Sequence, residues 1–285
     1  MLYGGHVKAL DDIGYLQDLK FDLGEVVLRN AESRAYWLDS GITNGFDSGF
    51  FLIAHGPREG PPNDIRHLCE NYYPALRETI GVVHRLGIEF LTIHMWLDPR
   101  FVCSEAREEK QSLLRAICAH GRENGVFISL ENLSETATDL GPILEAVPDL
   151  GLTLDIGHGQ LLTDTNTSFD IIENLSASIK HIHLHDNRGG QGVKDDLHLP
   201  LGEGIIDFQG IFGRLVKKGY DGTVTLELEK EVLESSRKKI RQIVDDLRED
   251  LHDTVLARER QNEPRESLAA VKQRLRRKGK FTQTV

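Results

Sequence analysis

Histidines and carboxylates close the β-like runs of this 285-residue chain. His55 ends FFLIAH, His94 lies near the end of EFLTIHM, and Glu131 ends VFISLE. Asp155 ends GLTLD, with His158 three residues on. His183 lies in IKHIHL and Glu227 in TVTLELE, and the segment DDLHLPLGEG adds Asp196 and His198. Mixed imidazole and carboxylate donors are the chemistry of a divalent cation site, and they suit Zn²⁺, Mn²⁺ or Fe²⁺ better than Ca²⁺ or Mg²⁺. Taken singly, each has a plainer explanation. A lone strand-end His is more often hydrogen-bonded for structure, and a strand-end Asp often caps the next helix. The force of the pattern is convergence. In a parallel barrel every C-terminal strand end meets at one face. Carboxylates crowded there raise each other's pKa unless cations relieve them.

Alternation within strands helps choose among neighbours. In HIHLHD, His181, His183 and His185 share one face. His183 is the expected ligand, with His181 deeper and His185 nearer the rim. In LELE, Glu227 and Glu229 also share a face. Glu227 is the better candidate and Glu229 the alternate, because spacing alone does not separate them.

The elements that must position these groups follow a repeating grammar. Strands are expected at 2–7, 24–28, 50–55, 89–95, 126–131, 151–155, 179–184 and 223–229. The clearest helical stretches are 64–86, 105–124 and 207–219, the last opening on Asp207 as N-cap. Several helices run into Gly just before a strand, as in RLG-IEF, ENG-VFI and KKG-YDGTV. Eight strands alternating with helices over some 230 residues is the count of an α/β (β/α)₈ TIM barrel. A doubly wound open sheet is the alternative, but no G-x-G-x-x-G follows the first strand. Residues 230–252 read as the eighth helix, and 253–280 as an extra C-terminal helix interrupted near Pro264. The barrel is therefore expected over 1–252 and a basic helical extension over 253–285.

Composition bounds the setting. Apolar residues make up 39% and charged residues 28%, which suits a soluble domain with a sizeable core. No run approaches the ~20 apolar residues of a membrane span. The start lacks the layout of a secretory signal, and Cys69, Cys103 and Cys118 show no disulfide or zinc-knuckle spacing. A cytoplasmic protein with reduced thiols is expected. Net charge is −11. Residues 255–285 hold nine Lys/Arg against three acids, a tail of +6 that leaves −17 on residues 1–254. That acidic body argues against a broad nucleic-acid footprint, and the tail reads as a solvated helical end.

Over about residues 1–230 the chain resembles the xylose-isomerase-like barrel superfamily of sugar isomerases, sugar epimerases and type IV apurinic endonucleases. The resemblance rests on LENLSE around Glu131, LDIGHGQ around Asp155 and His158, HLHDN around His183, and DLHLPLGEGIIDF around His198. It implies one metal held by Glu131, Asp155, His183 and Glu227, with the two glutamates acting as opposed bases in the epimerases. The endonuclease branch implies two further zinc ions. One would be held by His55, His94 and a bridging Glu131, the other by His158, Asp196 and His198. One to three ions are thus implied, and His6 matches a first-strand histidine of that branch. The DNA-inserting Arg and Tyr pattern of the endonucleases is not matched by RNAESRAYW or GPREG.

Three functions follow. The first is isomerisation or epimerisation of a sugar or sugar phosphate. A metal grips adjacent carbonyl and hydroxyl oxygens while Glu131 or Glu227 removes the neighbouring proton to give an enediolate. His158 or Arg188 would then bind substrate oxygens, and Arg188 and Lys194 in DNRGGQGVKDD suit a phosphate. The second is multinuclear phosphodiester hydrolysis, including cleavage of abasic DNA, which the nine-donor set favours. The third, a metal- or metabolite-binding barrel without catalysis, fits poorly with so many carboxylates. The sugar enzyme is the preferred reading.

Overall fold

A computed structural model describes residues 1–46, 49–261 and 268–277. Strands and helices alternate from the start: β1 (Leu2–Val7), α1 (Leu10–Asp18), β2 (Leu23–Val27), α2 (Ala31–Asp39), β3 (Phe51–His55), α3 (Ile65–His67) and α4 (Tyr73–Arg85). They continue as β4 (Phe90–His94), α5 (Ser104–Glu123), β5 (Phe127–Glu131), α6 (Ala137–Ala146), β6 (Leu150–Asp155), α7 (Ser168–Leu175), β7 (Ile179–Leu184), α8 (Phe208–Lys217) and β8 (Thr223–Leu226). The eight strands are parallel, and β1 pairs with both β2 and β8, so the ring closes. The fold is a TIM barrel. The chain divides into two units, Met1–Val244 and Asp245–Val285.

The expected strands fall within one or two residues of the observed ones, except that β8 stops at Leu226. The glycines before strands sit where the repeat requires them. Gly87, Gly125 and Gly219 adopt φ of 69°, 69° and 78°, the left-handed cap that ends a helix at no side-chain cost. Asp207 caps α8 by accepting from the Gly210 N–H at 2.8 Å. The long helix expected over 64–86 contains a π turn at Leu68–Tyr72, where the Tyr73 N–H reaches Leu68 O. Pro74 explains it: proline has no N–H and its ring strikes the carbonyl four residues back, which a wider turn avoids. At the C-terminus, α9 runs from Lys230 to Gln261 without a break at 252, and α10 spans Leu268–Arg277. No Gly or Pro lies between 230 and 261 to end α9 earlier. The expected interruption at Pro264 lies outside the described residues. None of the described helices is long and apolar enough to cross a membrane.

Aliphatic side chains fill the space between ring and helices. Leu76, Ile80 and Val83 line one face of α4, and Leu114 and Ile117 one face of α5, all fully buried. Each contributes about 1.5–3 kcal/mol by leaving water. The inside of the ring is different. Thr92, Ser129 and Thr153 form a buried hydroxyl chain at 3.1 and 2.7 Å. His181 spans Thr223 and Thr225 at 2.7 and 3.0 Å. The barrel floor is therefore a hydrogen-bonded polar layer.

The loops at the C-terminal face are pinned by a second buried network. Lys110, from α5, meets Glu59 at 2.5 Å and the Trp96 carbonyl at 2.6 Å. Glu59 also accepts from the Trp96 N–H at 2.7 Å. Glu135 accepts from the N–H groups of Leu97, Leu133 and Ser134 at 2.6–3.1 Å. These bonds tie the loops after β3, β4 and β5 together. Lys110→Met should cost about 3–5 kcal/mol in urea unfolding, because it strands a buried carboxylate. Adding Glu59→Gln should restore part of the loss. A cost below about 1 kcal/mol would mean the pair does not hold these loops.

Candidate functional site

The strand registers set the donors at one level. His94 lies opposite Glu131, Asp155 opposite His183, and Val27 opposite His55. All nine expected donors meet at the barrel mouth. Glu131, 1% exposed, divides its oxygens. Oε2 faces His55 Nε2 at 3.2 Å and His94 Nε2 at 2.7 Å, while Oε1 faces His158 Nδ1 at 3.1 Å and His183 Nδ1 at 3.3 Å. Glu227 Oε1 lies 3.2 Å from His183 Nδ1 and 3.0 Å from His6 Nε2. Asp155 Oδ2 lies 3.3 Å from His158 Nδ1 and 3.9 Å from His183 Nδ1. Asp196 Oδ2 lies 3.4 Å from His158 Nε2 and 3.1 Å from His198 Nε2. His55, His94 and Glu131 have donor atoms within 4.8 Å of one another, and so do His55, His183 and Glu227.

The imidazoles are held from behind. His55 Nδ1 donates to Gly56 O at 3.0 Å, and His183 Nε2 to Glu25 Oε1 at 3.2 Å. His198 Nδ1 donates to Glu227 O at 3.0 Å. Each ring then presents its other nitrogen to the carboxylates, the arrangement that outer partners impose on metal-binding histidines. Asp155 Oδ2 and His183 Nδ1 are buried with no hydrogen-bond partner among the described residues. The two atoms lie 3.9 Å apart, with Glu131 and Glu227 oxygens 3.3 and 3.2 Å from His183 Nδ1, the spacing of ligands around a cation. The residues present thus fit a metal ion.

Local sequence explains the presentation. Asn132 accepts from the Asp155 N–H at 2.8 Å and donates to Asp155 O at 3.0 Å, locking β5 to β6. Asp186 accepts from the N–H groups of Gly202, Gly204 and Ile206 at 2.7, 2.9 and 3.3 Å, folding back the loop that carries Asp196 and His198. Two glycines are forced by space. A Cβ at Gly157 would sit 2.0 Å from the His185 ring, and one at Gly204 2.2 Å from Asn187 O. His198 itself takes φ 47°, a left-handed value uncommon for a residue with a side chain.

The charges are strongly coupled. Burial pushes Glu131 up, but the imidazoles of His94 and His183 outweigh it and hold the carboxyl well below its ordinary range. Glu227 is likewise held down against burial by His183 and His6. Burial disfavours charge on His183, yet Glu25, Glu227 and Glu131 raise it well above the usual histidine range. His198 is raised to about 9 by Asp196 and Glu227 despite desolvation.

Other expectations divide. His6 lines the cavity with the donors. Glu229 is exposed and precedes α9, whereas Glu227 lines the cavity. Arg188 is exposed, its Nε reaches Glu203 O at 3.4 Å, and it does not line the cavity. Lys194 is exposed and stands outside the lining too. Both belong to the segment between β7 and α8, which also carries Asp196 and His198. Two participants stand outside the expected donor set, Glu25 and the rim-side His185. Glu25 is fully buried on β2 against His183 and His181 at 3.1 and 3.5 Å. The signal was an acid inside the apolar run LGEVVL. His185 is fully buried, 3.3 Å from Asp155 Oδ1 and stacked on His198 at 3.9 Å.

A closed parallel barrel with a histidine–carboxylate cluster at its C-terminal mouth is the architecture of a broad class of enzymes. The chain belongs to the xylose isomerase-like TIM barrel family, which its residues 41–250 match. An uncharacterized protein of Methanocaldococcus jannaschii is 30% identical over 190 residues, 62% of this chain and 64% of that protein. A probable endonuclease 4 of Mycoplasma pneumoniae is 24% identical over 153 residues, 48% of this chain and 53% of that protein. The chain thus spans less than two thirds of each of these relatives. A crystal structure of a D-tagatose 3-epimerase-like protein superposes with TM-score 0.71 at 22% identity, over 88% of this chain and 100% of the other, a likeness of fold.

Proposed function

We propose that this chain is a divalent-metal-dependent isomerase or epimerase of a sugar or sugar phosphate. The observation that carries the reading is the pair of carboxylates, Glu131 and Glu227, at 3.3 and 3.2 Å from His183 Nδ1. Glu131, Asp155, His183 and Glu227 would hold the ion, with Zn²⁺, Mn²⁺ or Fe²⁺ suited to that donor set. The ion supplies Lewis-acid polarisation of a carbonyl and its neighbouring hydroxyl. One glutamate takes the proton from the carbon beside that carbonyl, leaving an enediolate. Its depressed pKa keeps it ionised, the form a base requires. Return of the proton by the same glutamate to the adjacent carbon gives an isomer; delivery by the opposed one gives an epimer. His158 and His6, both at the cavity wall, orient substrate oxygens. The thiols of Cys69, Cys103 and Cys118, none in a disulfide, suit a reducing cytoplasm.

The test is deuterium exchange. Mn²⁺-loaded protein, incubated in D₂O with a panel of ketoses and their phosphates, should incorporate label beside the carbonyl of one of them. No incorporation across the panel would sink the proposal.

One observation favours a second reading, multinuclear phosphodiester hydrolysis. His55, His94 and Glu131 form a further donor set, as do His185, Asp196 and His198. That reading requires two or three ions per chain by elemental analysis. It also requires His198→Ala to lose both an ion and nicking of abasic DNA.

Metal uptake must displace protons from the raised histidines. Affinity for Mn²⁺ should therefore climb with pH through and above neutrality, because the proposed ligand His183 is raised well above the usual histidine range. The metal-free protein should show the converse. The His198 contribution to stability is complete below the unfolded value of about 6.5 and disappears as pH rises through the folded one. Calorimetry with and without ion checks both, and a pH-independent affinity would contradict the assignment.

A further inference from the structure

The cavity over the cluster has one wall that the proposed chemistry leaves unused. Besides the histidines and acids, it is lined by Val27, Arg29, Gly56 and Arg58. We infer that Arg29 and Arg58 form a phosphate-binding rim, so that the site takes a phosphorylated sugar and not a neutral one. This rests on the sugar reading above and narrows its substrate class.

The two arginines leave neighbouring strands at the same level. Val27 and His55 are register partners on β2 and β3, and the Leu28 N–H donates to His55 O at 2.8 Å. Arg29 follows that pair by two residues and Arg58 by three, so both stand over one edge of the mouth. The backbone under each is fixed. Asn30 caps α2 by accepting from the Ser33 N–H at 2.8 Å. Glu59 is buried against Lys110 at 2.5 Å. Arg29 and Arg58 are exposed, and neither has an ion-pair or hydrogen-bond partner among the described residues. They are cationic arms on rigid shoulders, the arrangement that loses least entropy on binding.

Neither charge is spent on an ion pair among the described residues. Some other exposed arginines of this acidic chain are paired, as Arg66 is with Glu70 and Arg122 with Asp149. A neutral sugar has no need of two unpaired guanidinium groups. A phosphomonoester carries roughly −1.5 to −2 charges and three acceptor oxygens, which planar guanidinium groups match as forks. The narrow recess, about 70 Å³, admits the reacting end of a small molecule while its phosphate stays at the rim. A net charge of −11 weighs against a long polyanion in the same place.

Isothermal titration of the Mn²⁺-loaded protein with D-ribulose 5-phosphate and with D-ribulose tests the inference without turnover. The phosphorylated probe should bind at least about tenfold more tightly, and Arg29→Gln/Arg58→Gln should remove that preference so that the two probes bind alike. Arg58→Lys should keep part of it, since charge survives but the fork does not. Metal content by elemental analysis reports that the variants remain folded and loaded. Equal affinities in the wild type, or a preference that survives the double substitution, would overturn the inference. So would tighter binding of a short abasic duplex that the same double variant abolishes, because the arginines would then serve a nucleic-acid backbone. A phosphate preference lost in the double variant but without proton exchange on any sugar would uphold the arginine assignment and remove only the proposed reaction.

Discussion

Glu131→Gln should lower turnover about a thousandfold and strip the protein of metal. The side chain is the meeting point of the cluster, with Oε2 on His55 and His94 and Oε1 on His158 and His183. Glutamine keeps the shape but supplies no negative charge and one donor where four imidazole contacts need an acceptor. A lost general base alone accounts for about 10²–10⁴ in rate. The imidazolium groups that Glu131 now balances would repel one another and any ion brought between them. The measurement is turnover on whichever substrate the exchange panel identifies, with elemental analysis of the purified variant. Wild-type turnover would remove Glu131 from the chemistry.

Glu25→Gln should leave the chain folded yet weaken its tightest ion about 10–100-fold, the range seen when an outer partner of a metal-binding histidine is lost. Glu25 touches no part of the cavity. It accepts from His183 Nε2 at 3.2 Å, and by doing so turns Nδ1 toward Glu131 and Glu227. Gln retains an oxygen acceptor but not the charge that favours the proton on Nε2. It also presents an amide group to His181, 3.5 Å away. Competition with a chelating dye gives the affinity, and a melting curve of the metal-free form shows whether the barrel survived. An unchanged affinity would make Glu25 a packing residue only.

The route from sequence to site was legible where chemistry and period coincide. Strand-end donors are visible because a parallel barrel gathers all C-terminal ends, so His55, His94, Glu131 and Asp155 needed only their place in a run. The cap glycines at 87, 125 and 219 marked the repeat. What the letters do not carry is depth. Whether His181, His183 or His185 meets Glu131 depends on how far β7 is staggered against β6, and the pairing of His183 with Asp155 appears only in the folded ring. Glu25 was hidden for the same reason. Its level beside His183 arises from closure of the barrel through β1 and β8, at a separation of 158 residues. Arg188 and Lys194 looked suitable by type. Arg188 instead reaches the Glu203 carbonyl within its own loop, a contact that no local pattern announces.

The hydroxyl and imidazole layer beneath the cluster has a bearing on how this protein tolerates change. Most barrels fill that space with branched aliphatics, which exchange for one another at small cost. Here Thr153 serves both Thr92 and Ser129, and His181 serves both Thr223 and Thr225. Exchanging one threonine for its near-isostere valine strands a partner in a dry interior, at about 1–3 kcal/mol for each orphaned group. In a saturation library the ground under the catalytic pocket should thus be among the most depleted regions, although no ligand ever reaches it. Variants that do survive there should arise as coordinated pairs.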